Sequence, residues 1–169
     1  WSTMKKYDQV QYDVTVPFAR NFAGPMDYTQ GAMLNGTRST YRPSNSEPMS
    51  QGTRCHQLAE YVVFLSPLNM LCDSPTHYDE EPECTDFIAK IPTVWDETVA
   101  LKSEVGEYVA VARRVGDKWY VGALTNWTSR DLTLDLSPLK VAGKVPVVFK
   151  DGANAEKFAQ DYEKTTITV

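Results

Sequence analysis

Three observations on this 169-residue chain predict a mixed fold, a strand-and-helix α/β layer followed by an antiparallel all-β domain. Continuous apolar runs alternating with helical periodicity occur only in the first half, and past Trp95 the hydrophobic period becomes two. Turn residues crowd into 24–52 before the change and recur roughly every 8–12 residues after it. The texture changes near residue 92, so residues 1–92 and 93–169 are expected as separate domains.

Residues 14–23, VTVPFARNFA, are mostly apolar up to Gly24-Pro25, which suits a strand buried on both faces of a parallel sheet. The Gly-, Ser-, Asn- and Pro-rich stretch 24–51 follows. A loop that long in a compact domain is functional or disordered, and Met26, Tyr28, Met33, Leu34 and Tyr41 favour order. In 52–66, Leu58, Tyr61, Val62 and Leu65 stand at helical spacing, with Gly52-Thr53 as the start and Pro67 as the stop. Residues 68–73, LNMLCD, read as a second short strand closed by Ser74-Pro75. A second helix is expected next, with Asp79, Glu80, Glu81 and Glu83 at its N-terminal end and Phe87, Ile88 and Ile91 on its buried side.

In the second half, 107–114 and 118–125 flank Val115-Gly116-Asp117 as a hairpin. Leu132, Leu134 and Leu136 alternate along a strand at 130–136, and 145–149 and 165–169 supply two more. Short strands with regular turns predict an antiparallel sandwich or small barrel.

Twenty-two acidic against 17 basic side chains, net −5, disfavour a nucleic-acid or anionic-membrane partner. No apolar run approaches the roughly 18–20 residues of a membrane span, and WSTMKKYDQVQYD at the start lacks a secretory-leader pattern. Cys55, Cys72 and Cys84 match no zinc-ribbon or thioredoxin spacing and read as buried or partly buried thiols. Asn35-Gly36-Thr37 and Asn126-Trp127-Thr128 have the glycosylation spacing.

Two strand–helix pairs cannot close a parallel sheet. A complete (β/α)8 barrel takes roughly 250 residues, so residues 1–92 read as the end of one, with apolar surface left exposed. Barrel active sites lie at the C-terminal ends of the strands. That rule makes Asp27, Tyr28, Asp73, His77 and Tyr78 the substrate-pocket candidates, against the plainer reading of Asp27 and Asp73 as turn formers. His77 has no partner at metal-ligand spacing and His56 lies within a helix, so no metal ligand is assigned. The run 79–83, DEEPE, lacks EF-hand spacing and reads as a solvated helix start. No GxSxG, phosphate loop, HExxH or CxxC is present. Trp95, Trp119 and Trp127 allow either a sugar-stacking platform or core packing.

The runs VPFARNFAGPMDYTQGAM (16–33), SEPMSQGTRCHQLAEYVVFLSPLNMLCDSP (46–75), FIAKIPTVWDET (87–98) and GEYVAVARRVGDKWYVGALTNW (106–127) together resemble the C-terminal part of glycoside hydrolase family 97. The resemblance implies an α-glucosidase or α-galactosidase acting on oligosaccharides, of a kind found in gut Bacteroidetes, with calcium near its active site. It also implies a periplasmic, cell-envelope or secreted location. Residues 1–92 would then be the last part of the catalytic barrel, partnered by the rest of that barrel, and 93–169 a β-sandwich domain. The resemblance places the catalytic and calcium-holding carboxylates upstream of Trp1, and Glu47, Glu60, Glu80, Glu83 and Glu97 match none of them. No catalytic residue is therefore assigned, and the chain alone is expected to be inactive. The alternatives are a non-catalytic carbohydrate-binding sandwich, with its tryptophans in a row, and a small structural protein.

Overall fold

A computed structural model describes residues 7–169, so the leader reading of residues 1–6 lies outside the described residues. Two short helices, α1 (Gln9–Asp13) and α2 (Val16–Arg20), and a 3-10 turn (Asn21–Ala23) open the chain. They replace the strand expected over 14–23. Asp8 caps α1 by accepting from Gln11 N (3.0 Å), and Pro17 sits in the first turn of α2, where no helical bond is lost. A short apolar run fits a buried strand and a helix segment equally, and here local capping and the proline decide.

Extended chain comes one segment later. Residues near Tyr28 and Asn69 meet in a single parallel bridge, joined by Gln30 Nε2 donating to Asn69 Oδ1 (3.0 Å). Helix α3 (Arg54–Val63) lies between them in sequence, as the crossover of a βαβ unit does. The strand expected at 68–73 is thus one rung rather than a ladder, and Leu68, Met70 and Leu71 stay exposed, as does Phe22 (92%). The long loop closes on itself through β1 (Asn35–Gly36) and β2 (Ser50–Gln51), which pair in parallel.

The α3 helix was legible in the sequence. Thr53 caps it by accepting from His56 N (3.1 Å), and Leu58, Tyr61 and Val62 are buried. The second expected helix is two, α4 (Pro75–Glu80) and α5 (Pro82–Ala89). Pro82 cannot donate to a continuing helix, and Glu81 before it leaves the helical region (φ −122°, ψ 56°). Asp79 and Glu80 therefore end α4, and only Glu83 stands in a first turn. Phe87 and Ile88 do pack inward, against a cluster of Met33, Leu58, Tyr78 and Cys84, while Ile91 lies outside it.

The second half is antiparallel and β-rich. Strands β3 (Glu97–Glu104), β4 (Tyr108–Val115) and β5 (Lys118–Thr125) form a meander, and β6 (Val147–Asp151) pairs with β7 (Tyr162–Thr166). The β4–β5 hairpin turns at Gly116-Asp117, Gly116 having φ +58°, as its sequence predicts. The β3 strand, mostly exposed and polar, was not anticipated. Residues 130–136 form no ladder, although Leu132, Leu134 and Leu136 stay half-buried between exposed neighbours. Side-chain alternation there survives without a backbone partner.

Sheet and helix join at β5 and α3. A Cβ on Gly122 would lie 2.9 Å from both Ala59 O and Val62 Cβ, so only glycine lets the strand approach. From β4, buried Arg113 donates Nε to Val62 O (2.6 Å), Nη2 to Val63 O (2.9 Å) and Nη1 to Thr98 Oγ1 (2.8 Å). It thereby satisfies carbonyls that the last turn of α3 leaves open and sets a cation at the negative end of the helix. At the other end, buried Arg54 pairs with Glu81 (2.6 Å) and donates Nε to Asn35 Oδ1 (3.0 Å). Gly122→Ala should lower unfolding stability by about 1–3 kcal/mol in urea titration, because a backbone oxygen has to move. Arg113→Met, which keeps the stem but orphans two buried carbonyls, should cost about 2–4 kcal/mol in the same measurement; a loss near zero would remove the capping role.

Candidate functional site

Three of the five residues expected at a pocket come together at the start of α4. Ser74 caps this helix, and Asp73 just before it has a side chain only 1% exposed. Asp73 Oδ2 accepts from Met33 N (2.7 Å), while Oδ1 accepts from Ser74 N (2.7 Å) and bonds His77 Nδ1 (2.6 Å). Its own N–H donates to the Tyr78 hydroxyl (3.2 Å), and the Tyr78 ring is buried beside Met33. One carboxylate thus clamps the long loop to α4. The hydrogen bond to Asp73, with its charge, raises the His77 pKa above the ordinary 6.5.

Asp27 and Tyr28 are placed elsewhere. Tyr28 faces inward with Met26 and Gln30. Its ring stands edge-on to Phe64 (centroids 4.4 Å apart), and its hydroxyl donates to Asp13 Oδ1 (2.7 Å). Burial, then the charges of Glu60 and Asp13, push the Tyr28 pKa far up, so the phenol remains a donor. Asp27 points to the opposite, exposed face. It makes no side-chain hydrogen bond among the described residues, so the turn-capping reading of Asp27 finds no bond to rest on.

A second polar centre was missed by sequence reasoning. Asp13, at the end of α1, bonds His56 Nε2 through Oδ2 (3.0 Å), and His56 Nε2 stands 3.5 Å from Glu60 Oε1. All three are buried. Gln9 Nε2 donates to Asp13 Oδ1 (2.7 Å), and Gln57 Nε2 to Glu60 Oε1 (3.0 Å). Burial, then the charge of Asp13 and a hydrogen bond to it, hold the Glu60 pKa well above the usual carboxylate range. Beside Glu60 lies a cavity of about 170 Å³, walled by Tyr28, Gln30, Gly31, Gln51 and Gln57. Among the described residues two buried side-chain oxygens lack a hydrogen-bond partner, Gln30 Oε1 and Glu60 Oε2, and both residues line this cavity. The available signal was a histidine and a glutamate one turn apart on a helix with no solvent-facing side.

Calcium takes roughly six to eight oxygen ligands. Among the described residues the only three-ligand cluster contains an imidazole, and DEEPE is divided between two helices, so neither fits that ion. Trp119 and Trp127 line one cavity of about 1200 Å³, and Trp95 is not among its lining residues. Trp95 stands edge-on to Tyr120 (5.4 Å), Trp119 lies under Arg114 (5.8 Å), and Trp127 lies under Arg38 (5.7 Å) while donating to Asp8 Oδ1 (2.8 Å). Asn35 is buried on Arg54, and Asn126 bonds Gly106 O, Thr128 N and Arg130, so both glycosylation triplets are occupied structurally. All three cysteines are free; Cys84 is buried and Cys55 half-buried as expected, whereas Cys72 is exposed.

Residues 94–169 match the family model described as "Glycosyl-hydrolase 97 C-terminal, oligomerisation". The chain is 56% identical over 163 residues to a retaining alpha-galactosidase of Bacteroides thetaiotaomicron, covering 96% of this chain and 24% of that protein. It is 31% identical over 118 residues to a probable retaining alpha-galactosidase of Streptomyces bingchenggensis, covering 70% of this chain and 17% of that protein. Among solved structures, a beta-arabinopyranosidase matches with TM-score 0.76 and 30% identity over 96% of this chain and 24% of its own. A family 97 enzyme of Pseudoalteromonas sp. strain K8, solved in complex with acarbose, matches with TM-score 0.65 and 25% identity over 94% of this chain and 25% of its own. The chain therefore spans between about a sixth and a quarter of the length of these relatives.

The His77–Asp73 bond makes a pH prediction with a definite sign. The folded pKa exceeds 6.5, so the contribution of the protonated pair to holding the loop is full below about pH 6.5 and is lost as pH rises through the folded value. NMR titration of the His77 ring should report the raised pKa, and Asp73→Asn should return it toward 6.5; an unchanged titration would contradict the pairing.

Proposed function

We infer that this chain, which belongs to glycoside hydrolase family 97, serves as the C-terminal portion of an α-glycosidase that cleaves terminal α-galactosyl residues from oligosaccharides. The observation that carries the reading is 56% identity across 96% of the chain to a protein named a retaining alpha-galactosidase. The choice of galactosyl over glucosyl follows the two named relatives.

Residues 7–92 supply the closing wall of a (β/α)8 barrel in this reading. Three features support it: the parallel bridge Tyr28↔Asn69, the crossover through α3, and the bare apolar surface of Phe22, Leu68, Met70 and Leu71 where neighbouring strands would pack. Asp27, turned away from α3, then faces the barrel interior and the sugar, while Tyr28 braces the wall from behind. Asp73, His77 and Tyr78 set the position of the loop after the first strand, at the rim where barrel enzymes bind substrate. Residues 93–169 form the appended β domain.

Glycoside hydrolysis needs two carboxyl groups flanking one bond, roughly 5–5.5 Å apart for retention and 6.5–9.5 Å for inversion. The Asp13–Glu60 pair lies within 4.8 Å, closer than either spacing, and both side chains are buried, so no sugar enters between the two. In the proposed enzyme a carboxylic acid of raised pKa protonates the glycosidic oxygen and an opposing carboxylate attacks the anomeric carbon, both from segments preceding this one. Calcium, implied by the resemblance, would also be held there. The same likeness supports a periplasmic or cell-envelope location.

The test compares this chain alone with the protein extended upstream to the length of its relatives. Only the extended protein should release nitrophenol from nitrophenyl α-galactoside. Asp27→Asn in the extended protein should raise KM or lower kcat at least tenfold. Enzyme-like turnover by the chain alone, or no turnover by the extended protein on any α-glycoside, would defeat the reading.

A further inference from the structure

We propose that Asp13, His56 and Glu60 form a site for a divalent transition-metal ion of zinc-like chemistry, bound through Asp13 Oδ2, His56 Nε2 and a Glu60 carboxylate oxygen. The ligand atoms are already spaced for it. Zinc bonds to nitrogen and oxygen of about 2.0–2.2 Å put neighbouring ligands about 3–3.5 Å apart. His56 Nε2 stands 3.0 Å from Asp13 Oδ2 and 3.5 Å from Glu60 Oε1, and all three ligand atoms lie within 4.8 Å of one another. His56 and Glu60 project one helical turn apart from α3, a spacing that lets two side chains of one helix grip a single ion.

The surroundings hold these ligands as an outer shell would. Tyr28 and Gln9 both donate to Asp13 Oδ1, leaving Oδ2 for the ion, and Gln57 donates to Glu60 Oε1. Two buried carboxylates face a single imidazole, and no lysine or arginine pairs with either among the described residues. Glu60 Oε2, in a side chain 1% exposed, has no hydrogen-bond donor at all. An orphaned buried oxygen of this kind asks for a ligand. His56 would bind in its Nδ1–H tautomer, the ion taking the place of the Nε2 proton. The cavity beside Glu60 offers room for water on the remaining coordination positions. The imidazole and the small ligand number favour a zinc-like ion over calcium or magnesium.

The site does not depend on the glycosidase reading, and its test uses no activity. The full chain, stripped with chelator, is titrated with ZnCl2 by calorimetry, with CaCl2 as the control. One equivalent of Zn2+ should bind saturably, raise Tm and be displaced by chelator, and Glu60→Gln and His56→Gln should each weaken binding at least about tenfold. Because a buried substitution can unfold the chain, Co2+ loaded into the unsubstituted protein gives a second readout. Its visible d–d bands should appear without thiolate charge transfer. No saturable Zn2+ binding, binding unchanged in both folded variants, or a Co2+–thiolate band placing the ion on a cysteine such as exposed Cys72 would each overturn the proposal.

Discussion

Two buried arginines fix helix α3, and most of the molecule is arranged around that helix. Arg113 reaches from β4 to carbonyls that close the helix, and Arg54 ties its first turn to the long loop and to Glu81 at the α4–α5 break. A guanidinium is suited to both places. It presents several donors in a planar fork, stays charged when buried and is less strongly hydrated than an ammonium. Burial lowers the Arg113 pKa to about 10, which still leaves it charged at neutral pH. At the C-terminal end this charge opposes the partial negative charge of the helix, so part of its desolvation is offset without a carboxylate.

With both ends held, the sides of α3 are free for different tasks. Val62 and Ala59 receive β5, whose Gly122 removes the side chain that would keep sheet and helix apart. Leu58 enters the cluster that also takes Phe87 and Ile88 from α5, whereas Val63 belongs to another with Val14, Val16, Met26 and Phe64. His56, Gln57 and Glu60 face the polar centre shared with α1 and Tyr28. Covered on every side, the helix keeps its polar groups where neighbours supply partners, Glu60 Oε2 excepted.

The parts legible in the sequence are those whose signal is local. The Thr53 cap, the periodicity of α3 and the Gly116-Asp117 turn each depend on a handful of adjacent residues; cap and turn appear as read, while the helix ends at Val63, short of Leu65 and the expected stop at Pro67. Residues 14–23 are helical where a strand is expected, because apolarity alone does not distinguish the two and Pro17 suits a helix start. Residues 130–136 alternate correctly but lack a neighbour to pair with. Asp73, His77 and Tyr78 could be grouped from sequence because they stand within one short stretch of chain. Asp13 and Glu60 could not, since they meet only after two separate segments fold onto each other. The long matching runs behind the family resemblance carried information that no single element contained.

The rung pair between β1 and β2 has a bearing on how this architecture diversifies. By fastening Asn35–Gly36 to Ser50–Gln51, it closes residues 37–49 into a loop that Arg38 also ties to Asp8 and Trp127. Doubling the length of such a segment adds only about 0.6 kcal/mol of closure entropy. Lineages can therefore lengthen, trim or rewrite this turret while the scaffold beneath keeps its stability.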